Sequence, residues 1–195
     1  PQHNFIYKNF LDAINYLKEV KIHFLFSLIL FFAIGLFGFI FPIFFVEQIR
    51  EFIQELIALT AGMSSFELTL FIIYNNIKSA FFAMIFGIAF GILPIAVIIL
   101  NGYILGFISN KTVAVEGILI LWRLLPHGIF EIPAVLLSTA LGMKLGLFLF
   151  TYRGKNKFKE FRKWLLNAFK VFIFIIIPLL VFAGIIEGIL IAMVS

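Results

Sequence analysis

The stretch IHFLFSLILFFAIGLFGFIFPIFFV, residues 22–46, contains 25 residues without a single Lys, Arg, Asp or Glu. A helix that crosses the apolar core of a membrane needs about 20 predominantly apolar residues. This stretch is also longer than the apolar core of a signal peptide, which is about 7–15 residues. We therefore interpret it as a retained membrane span over 22–45.

The composition of the whole chain is typical of a membrane protein. Of the 195 residues, 63% are hydrophobic and 13% are charged, whereas soluble domains average about 45–50% apolar and about 25% charged residues. Backbone groups in lipid must form their hydrogen bonds within their own segment, so the spans must be helices. We predict an all-α polytopic transmembrane helical bundle forming one domain over 1–195, with about five membrane-inserted helices.

The same counts exclude several kinds of site. Cysteine is absent, so a disulfide, a thiolate metal site and a cysteine nucleophile are excluded. His127 and Glu131, four residues apart, resemble half of a metal site, but no further histidine or carboxylate lies at ligand spacing nearby, and zinc usually takes three or four protein ligands. We therefore predict neither a metal nor a cofactor, and no nucleic-acid partner.

Two further apolar runs each predict one membrane span. Residues 79–110 carry no charged side chain. We expect one long kinked span over 77–108, bent at Pro94 because proline interrupts helical hydrogen bonding. The last span is expected over 170–192, and it contains Glu187.

The stretch 117–150 is apolar but interrupted. Four ionisable side chains lie within it: Arg123, His127, Glu131 and Lys144. Its strongest break is LPHGIFEIP, residues 125–133, where two prolines and a glycine favour a bend. Irregular backbone at membrane depth is tolerated only where it faces protein or a water-filled cavity. We therefore expect a broken helix pair over 117–150, with a broken or re-entrant helix at 125–133.

The charge distribution predicts which segments face the cytoplasm. Seven of the 15 basic residues lie within 153–170, and positively charged segments tend to stay on the cytoplasmic side. We expect a multi-pass protein of the cell membrane, with its N-terminus and 153–170 cytoplasmic. Span one then leads out, span two returns, and 117–150 crosses an even number of times. An alternative topology splits 79–110 into a hairpin at Pro94 and makes 117–152 a single crossing.

Three segments have the pattern of interfacial helices. Residues 46–66 begin with apolar and acidic side chains on opposite faces, which is typical of an amphipathic helix on the outer surface. Residues 5–20 show the pattern more weakly on the cytoplasmic side. Residues 153–169 combine aromatic residues with the basic cluster. Each well-placed cation gains about 1 kcal/mol from an anionic membrane surface, so we expect anionic lipid headgroups as partners at 153–170.

Glycines recur at the GxxxG spacing that lets helix backbones approach closely in membranes. The four pairs are Gly87/Gly91, Gly102/Gly106, Gly142/Gly146 and Gly184/Gly188. We expect them to pack helices within one bundle. The alternative is an interface in a homo-oligomer or with other membrane proteins.

Polar side chains within apolar spans are costly, and they are the candidates for a functional site. Those we single out as a polar centre or ligand site are Arg123, His127, Glu131, Asn101, Asn76 and Glu187. Arg123, His127 and Glu131 recur every four residues and would share a face of an unbroken helix. One interpretation is a structural cluster in which Glu131 complements a helix N-terminus and pairs with Arg123. The other interpretation is a site that faces a ligand or substrate.

Three motifs together resemble the stage II sporulation protein M family of integral membrane proteins. They are Asn101-Gly102-x-x-x-Gly106, the string Leu125-Pro126-His127-Gly128-x-x-Glu131-x-Pro133-Ala134, and Gly142-x-x-x-Gly146. The resemblance implies a membrane protein of about five helices. In spore-forming bacteria the founding member of that family works with a cell-wall hydrolase and another membrane protein during engulfment. Relatives occur in organisms that form no spores, so this particular role does not follow from the family.

Two functions remain as hypotheses. The first is a non-enzymatic membrane component, either a scaffold for partners or a transporter- or channel-like body with a buried polar centre. The alternative is an intramembrane enzyme that uses His127 and Glu131 as an acid–base pair. The first is preferred because the second lacks a nucleophile or a metal set. A weaker third hypothesis is an apolar or lipid ligand held in a cavity between the helices.

Overall fold

A computed structural model describes residues 2–88 and 91–194, and helices account for most of both ranges. The side chains at 2, 3, 123–127, 149 and 194 lie outside the described part. The helices are α1 (Gln2–Ile40), α2 (Val46–Thr60), α3 (Ser65–Phe86), α4 (Ile92–Glu116), α5 (Leu125–Gly146), α6 (Phe148–Thr151), α7 (Lys157–Val171) and α8 (Ile177–Val194). A 3-10 helix, Ile118–Leu124, precedes α5, and a π-helical turn, Phe172–Ile176, joins α7 to α8. The predicted all-α fold is confirmed.

Five of the described helices are long and apolar enough to cross a membrane. They are α1, α3, α4, the part of α5 from Gly128 to Gly146, and the combined helix Lys157–Met193. Within the apolar window of α5, 61% of the residues are buried, against 17–33% in the other four. The predicted number of spans is therefore confirmed, and α5 is the central helix of the bundle.

Contacts between successive turns show how the helices are directed. Gly102 lies against the Phe31 carbonyl and Gly106 against Gly35, so α1 and α4 run parallel. Ile73 contacts Gly184 and Thr69 contacts Gly188, so α3 and α8 run antiparallel.

Helix α5 passes α3 in the same direction and α4 in the opposite one. A Cβ added to Gly142 would lie 2.5 Å from the Ala83 carbonyl oxygen, and one added to Gly146 would overlap the Gly87 carbonyl oxygen, so α3 and α5 are parallel and in close contact. Gly142 also contacts Pro94 and Gly146 contacts Gly91, which makes α4 and α5 antiparallel. The five spans therefore alternate in direction along the chain. We call the end that carries α7 the basic end and the other the α2 end.

The kinked span expected over 77–108 is two helices, as in the alternative topology, although they separate before Pro94 and not at it. Helix α3 ends at Phe86 and α4 begins at Ile92. Gly91 takes a φ of +71° just before α4, a conformation that glycine adopts without steric cost. Pro94 then lies in the first turn of α4, where its missing N–H has no helical partner to lose. The proline thus follows a turn between two helices instead of bending one.

The break expected at 125–133 is also displaced. Residues 125–133 belong to the continuous helix α5, which contains Pro133 in its interior. The irregular segment lies earlier, where Gly117 takes a φ of +82° and the 3-10 helix Ile118–Leu124 follows. Pro126 falls in the first turn of α5, a position that favours helix initiation. The residues 117–150 therefore supply one membrane-crossing helix instead of a pair.

Two of the expected interfacial helices are parts of long helices. Residues 5–20 continue without interruption into span one as α1, 39 residues and about 58 Å long. The helical part of the basic segment, α7, begins at Lys157 instead of 153. It likewise continues through the π-helical turn into α8, over the expected span 170–192. Pro178 follows that turn, and a proline leaves a helical carbonyl one turn earlier without its partner. The interfacial pattern therefore reflects helices that extend a span beyond its apolar part.

The third expected interfacial helix exists as a separate element, α2, which covers 46–60 of the predicted 46–66. Tyr103 of α4 anchors the loop that leads from α1 into α2. The Tyr103 hydroxyl donates to the Phe41 carbonyl at 2.9 Å and accepts from the Phe44 N–H at 3.0 Å. The amide of Asn110 donates to the Phe39 carbonyl at 2.9 Å. These bonds satisfy backbone groups in the last turn of α1 and in the loop that joins it to α2, which have no helical partner there.

The topology gives a test with single cysteines in this cysteine-free chain. Lys111→Cys, near the end of α4, should react with a membrane-impermeant maleimide from the same side as Arg50→Cys in α2. Lys155→Cys at the basic end should react only from the opposite side. Labelling of positions 111 and 155 from one side, measured in sealed and permeabilised vesicles, would restore the single kinked span.

The glycine contacts give a second test. A Cβ on Gly106 would overlap the Gly35 carbonyl oxygen, so Gly106→Ala should lower the free energy of unfolding by about 2 kcal/mol through overpacking. At Gly128 a Cβ would meet only Ile132, at 3.6 Å. Gly128→Ala should therefore leave stability unchanged or raise it. Thermal unfolding in detergent measures both variants.

The role of the GxxxG pairs in holding the helices together stays a prediction until that comparison is made. Equal stability of Gly106→Ala and Gly128→Ala would contradict it.

Candidate functional site

The predicted polar centre around His127 lies at the α2 end of α5. Arg123 belongs to the 3-10 helix, whereas His127 and Glu131 lie one turn apart on α5. The side chains of Arg123 and His127 fall outside the described residues. Glu131 is half-buried. The three residues therefore do not lie on one regular helix, and only the pair on α5 keeps the predicted spacing.

The other predicted members are distributed over three helices. Asn101 is exposed on α4, and its amide donates to the Val97 carbonyl at 2.8 Å, one turn earlier in the same helix. Asn76 on α3 and Glu187 on α8 are both half-buried. Asn101 thus points away from the bundle interior, which removes it from any centre shared with Glu131.

A different polar site lies at the basic end, around Lys144. This lysine is 5% exposed and sits near the end of α5. Its Nζ donates to Oε2 of Glu19 on α1 at 2.8 Å. The same Nζ lies 4.2 Å from the ring centre of Tyr16 and 4.8 Å from that of Trp164. Aromatic faces attract a desolvated cation, so one carboxylate and two rings together surround the buried ammonium.

A second ion pair at this end joins α7 to α1. Nζ of Lys170 lies 2.6 Å from Oδ2 of Asp12. The apolar residues between the two pairs are fully buried, among them Ala13, Val20 and Ala168. Helices α1, α5 and α7 therefore meet around a core that is bordered by Lys144–Glu19 and Lys170–Asp12.

Three buried polar atoms of the described residues have no hydrogen-bond partner. They are the Tyr16 hydroxyl, Nδ1 of His23 and the Ser138 hydroxyl. An unsatisfied buried polar group costs about 1–3 kcal/mol. Such groups are therefore uncommon in protein interiors. Of these three residues, Tyr16 also lines a polar cavity of about 630 Å³, which lies between α1 and α7.

The α2 end contains a cavity of the opposite character. It measures about 410 Å³ and lies between α1, α2 and α4, with Phe37, Phe52 and Leu100 among its walls. Gln48 and Tyr103 are the polar side chains that line it. This is the kind of space that the hypothesis of an apolar ligand requires.

Sequence reasoning missed the Lys144 site for a specific reason. In the sequence Lys144 is one of four ionisable residues that interrupt an apolar stretch, and its partner Glu19 lies 125 positions earlier. A lone lysine in a span does signal a buried partner. The partner could not be chosen, because no local spacing rule links α1 to α5.

The comparisons with known proteins fit this architecture. The sequence profile described as "Stage II sporulation protein M" matches residues 23–190. The chain belongs to the stage II sporulation protein M family. The resemblance inferred from its motifs is thereby confirmed.

Two relatives of this family member come from the archaeon Methanocaldococcus jannaschii. The uncharacterized protein MJ0706 is 37% identical over 101 residues, which cover 50% of this chain and 45% of the relative. The uncharacterized protein MJ0793 is 34% identical over 118 residues, which cover 60% of this chain and 66% of the relative. The chain thus matches less than two thirds of each relative's length. No solved structure matches it.

The Lys144 pair gives an asymmetric prediction. The Glu19 side chain is 58% exposed and that of Lys144 only 6%. Glu19→Gln leaves a buried cation without its carboxylate and should lower the free energy of unfolding by about 2 kcal/mol. Lys144→Met leaves a carboxylate that water can still solvate, so it should cost less than half as much.

The double variant completes the cycle for this family member. Glu19→Gln combined with Lys144→Met should be as stable as Lys144→Met alone, because the buried cation is gone in both. Denaturant unfolding in detergent measures all three. A larger loss for Lys144→Met than for Glu19→Gln would show that the ammonium is stabilised chiefly by contacts other than the carboxylate.

Proposed function

We propose that this stage II sporulation protein M family member is a non-enzymatic scaffold of the membrane. Its partners would be other membrane proteins or further copies of the same chain. The observation that supports this most directly is the solid packing of α5, which is enclosed by α1, α3, α4 and α8. A closely packed centre is more suitable for a scaffold that positions partners than for a transporter that opens a path.

The glycine contacts support the same proposal. At Gly142 and Gly146 the backbone of α5 touches the backbones of α3 and of the segment joining α3 to α4. A conduit needs space at such positions, whereas these helices are in direct contact. The two cavities described above lie at opposite ends, one lined by α2 and the other by α7.

The orientation belongs to the proposal as well. Since 153–170 carries the basic cluster, we place the basic end in the cytoplasm, with α7 beside anionic headgroups. The N-terminal part of α1 packs against α7 and shares that side. The α2 end then faces the outside of the cell membrane.

The rival hypotheses are a transporter- or channel-like body and an intramembrane enzyme with His127 and Glu131 as acid and base. Both require groups that act on a small molecule. The half-buried Glu131 on α5 is the residue on which either would depend. Glu131→Gln should therefore leave a scaffold's assembly intact if its fold is retained, and it should abolish either rival activity.

The test combines two measurements on the full-length chain. Proteoliposomes should show no protein-dependent flux of protons, Na⁺ or K⁺ under an imposed gradient. Mild solubilisation from the native membrane should yield a discrete assembly larger than the detergent-bound monomer. A monomer that conducts an ion, with loss of that flux in Glu131→Gln, would overturn the scaffold proposal.

A further inference from the structure

The polar cavity between α1 and α7 has a charged wall. It measures about 630 Å³ and lies at the basic end. The charged residues that line it are Asp12, Glu19, Lys159, Arg162, Lys163 and Lys170. Four cations thus face two carboxylates across one concave space.

Both carboxylates already have cationic partners. Asp12 pairs with Lys170 at 2.6 Å, and Glu19 pairs with Lys144 at 2.8 Å. Lys159, Arg162 and Lys163 remain on the wall. Of these, Lys163 lies 3.9 Å from Glu160, and its side chain is 67% exposed. Exposed pairs of this length contribute little, so the cavity retains a surplus of positive charge.

Neutral hydrogen-bond donors lie in the same wall. Tyr16 is 2% exposed and lines the cavity, and its buried hydroxyl has no partner among the described residues. The amide side chains of Asn15 and Asn167 line the cavity too. An orphaned buried hydroxyl beside a cationic wall is an arrangement that an oxyanion would complete, because phosphate oxygens accept bonds from both kinds of donor.

The position in the fold favours a lipid as the source of that oxyanion. Glu19 precedes the charge-free stretch 22–46 by only three residues. The wall residues of α7 precede the apolar part of the last helix, which begins after Lys170. The cavity therefore lies where two spans leave their apolar segments, at the depth of lipid headgroups.

We propose that this cavity is a specific site for the phosphate group of one anionic lipid headgroup. The inference rests on the headgroup contact proposed above for α7. It goes further by assigning one bound lipid to named residues, with Arg162 and Lys163 contacting the phosphate and Tyr16 donating a neutral hydrogen bond.

The experiment is a lipid titration of the full chain in neutral detergent, followed by native mass spectrometry. The wild type should retain one phosphatidylglycerol in a saturable manner and should bind phosphatidylcholine at least tenfold more weakly. Arg162→Gln combined with Lys163→Gln should weaken phosphatidylglycerol binding at least tenfold. The matched control, Lys155→Gln combined with Lys157→Gln, removes the same charge from exposed positions outside the cavity and should change affinity less than twofold.

The control separates the specific site from general attraction. Equal losses in the two double variants would overturn the site while leaving the proposed headgroup contact of α7 in place. Failure to reach saturation at one lipid would also overturn it. Neither result bears on the scaffold proposal, which is tested by flux and assembly.

Two further arms refine the assignment. Tyr16→Phe removes only a hydroxyl and should weaken phosphatidylglycerol binding about three- to tenfold, the value of one neutral hydrogen bond; unchanged affinity would contradict its role. Glycerol 3-phosphate at millimolar concentration should fail to displace the lipid. Displacement would show that the site takes a soluble phosphate ester and would overturn the assignment to a lipid.

Discussion

Helix backbones contact one another around α5, and we predict that the rest of the structure depends on this packing. In a bilayer, apolar side chains gain little by leaving lipid for protein, so association relies on close packing. Gly142 and Gly146 let α5 lie directly against α3 and against the segment that leads into α4. The same device lets α4 lie against α1 at Gly102 and Gly106. Because these contacts involve main-chain atoms, they fix the distance between helices more strictly than interlocking side chains would.

The burial of Lys144 follows from that arrangement. Its position near the end of α5 places it inside the bundle, where an unpaired ammonium would be costly. Glu19 supplies the counter-charge, and Tyr16 and Trp164 supply aromatic faces. The three partners come from α1 and α7, so a single cation links three helices. This polar contact sits where the tightly packed glycine region ends and the more open basic end begins.

Much of the fold could be predicted from the sequence, because hydrophobic length and charge act locally. The charge-free stretch at 22–46 and the basic cluster at 153–170 predict spans and their ends without any knowledge of neighbours. Prolines were harder to interpret. Pro94 and Pro126 each fall in a first helical turn, where proline starts a helix, yet the same residue in mid-helix would bend it. The sequence shows a proline but not the backbone conformation of the glycine that precedes it. In the structure Gly91 and Gly117 take positive φ angles, and the helices that contain Pro94 and Pro126 begin after them.

The candidate site was less predictable for a related reason. Ionisable residues in apolar stretches can be found by inspection, as Glu131 and Lys144 were, but their partners are set by which helices touch. Asn101 is one turn from its own acceptor and faces outward, so a polar residue beside a glycine motif was not a sign of an interior position. The pair of Lys144 and Glu19 spans 125 positions. Such a contact is determined by tertiary packing and cannot be predicted from the local spacing of residues in the sequence.

The uninterrupted length of α1 has a mechanical consequence. At about 58 Å it is close to twice the thickness of a hydrocarbon core, so one rod carries both a span and a stalk at the basic end. The second stalk, α7, is likewise the extension of a span. We therefore expect a force on either extension to change the tilt of the transmembrane part. The π-helical turn Phe172–Ile176 interrupts the regular winding of the last helix, whereas α1 is α-helical from Gln2 to Ile40.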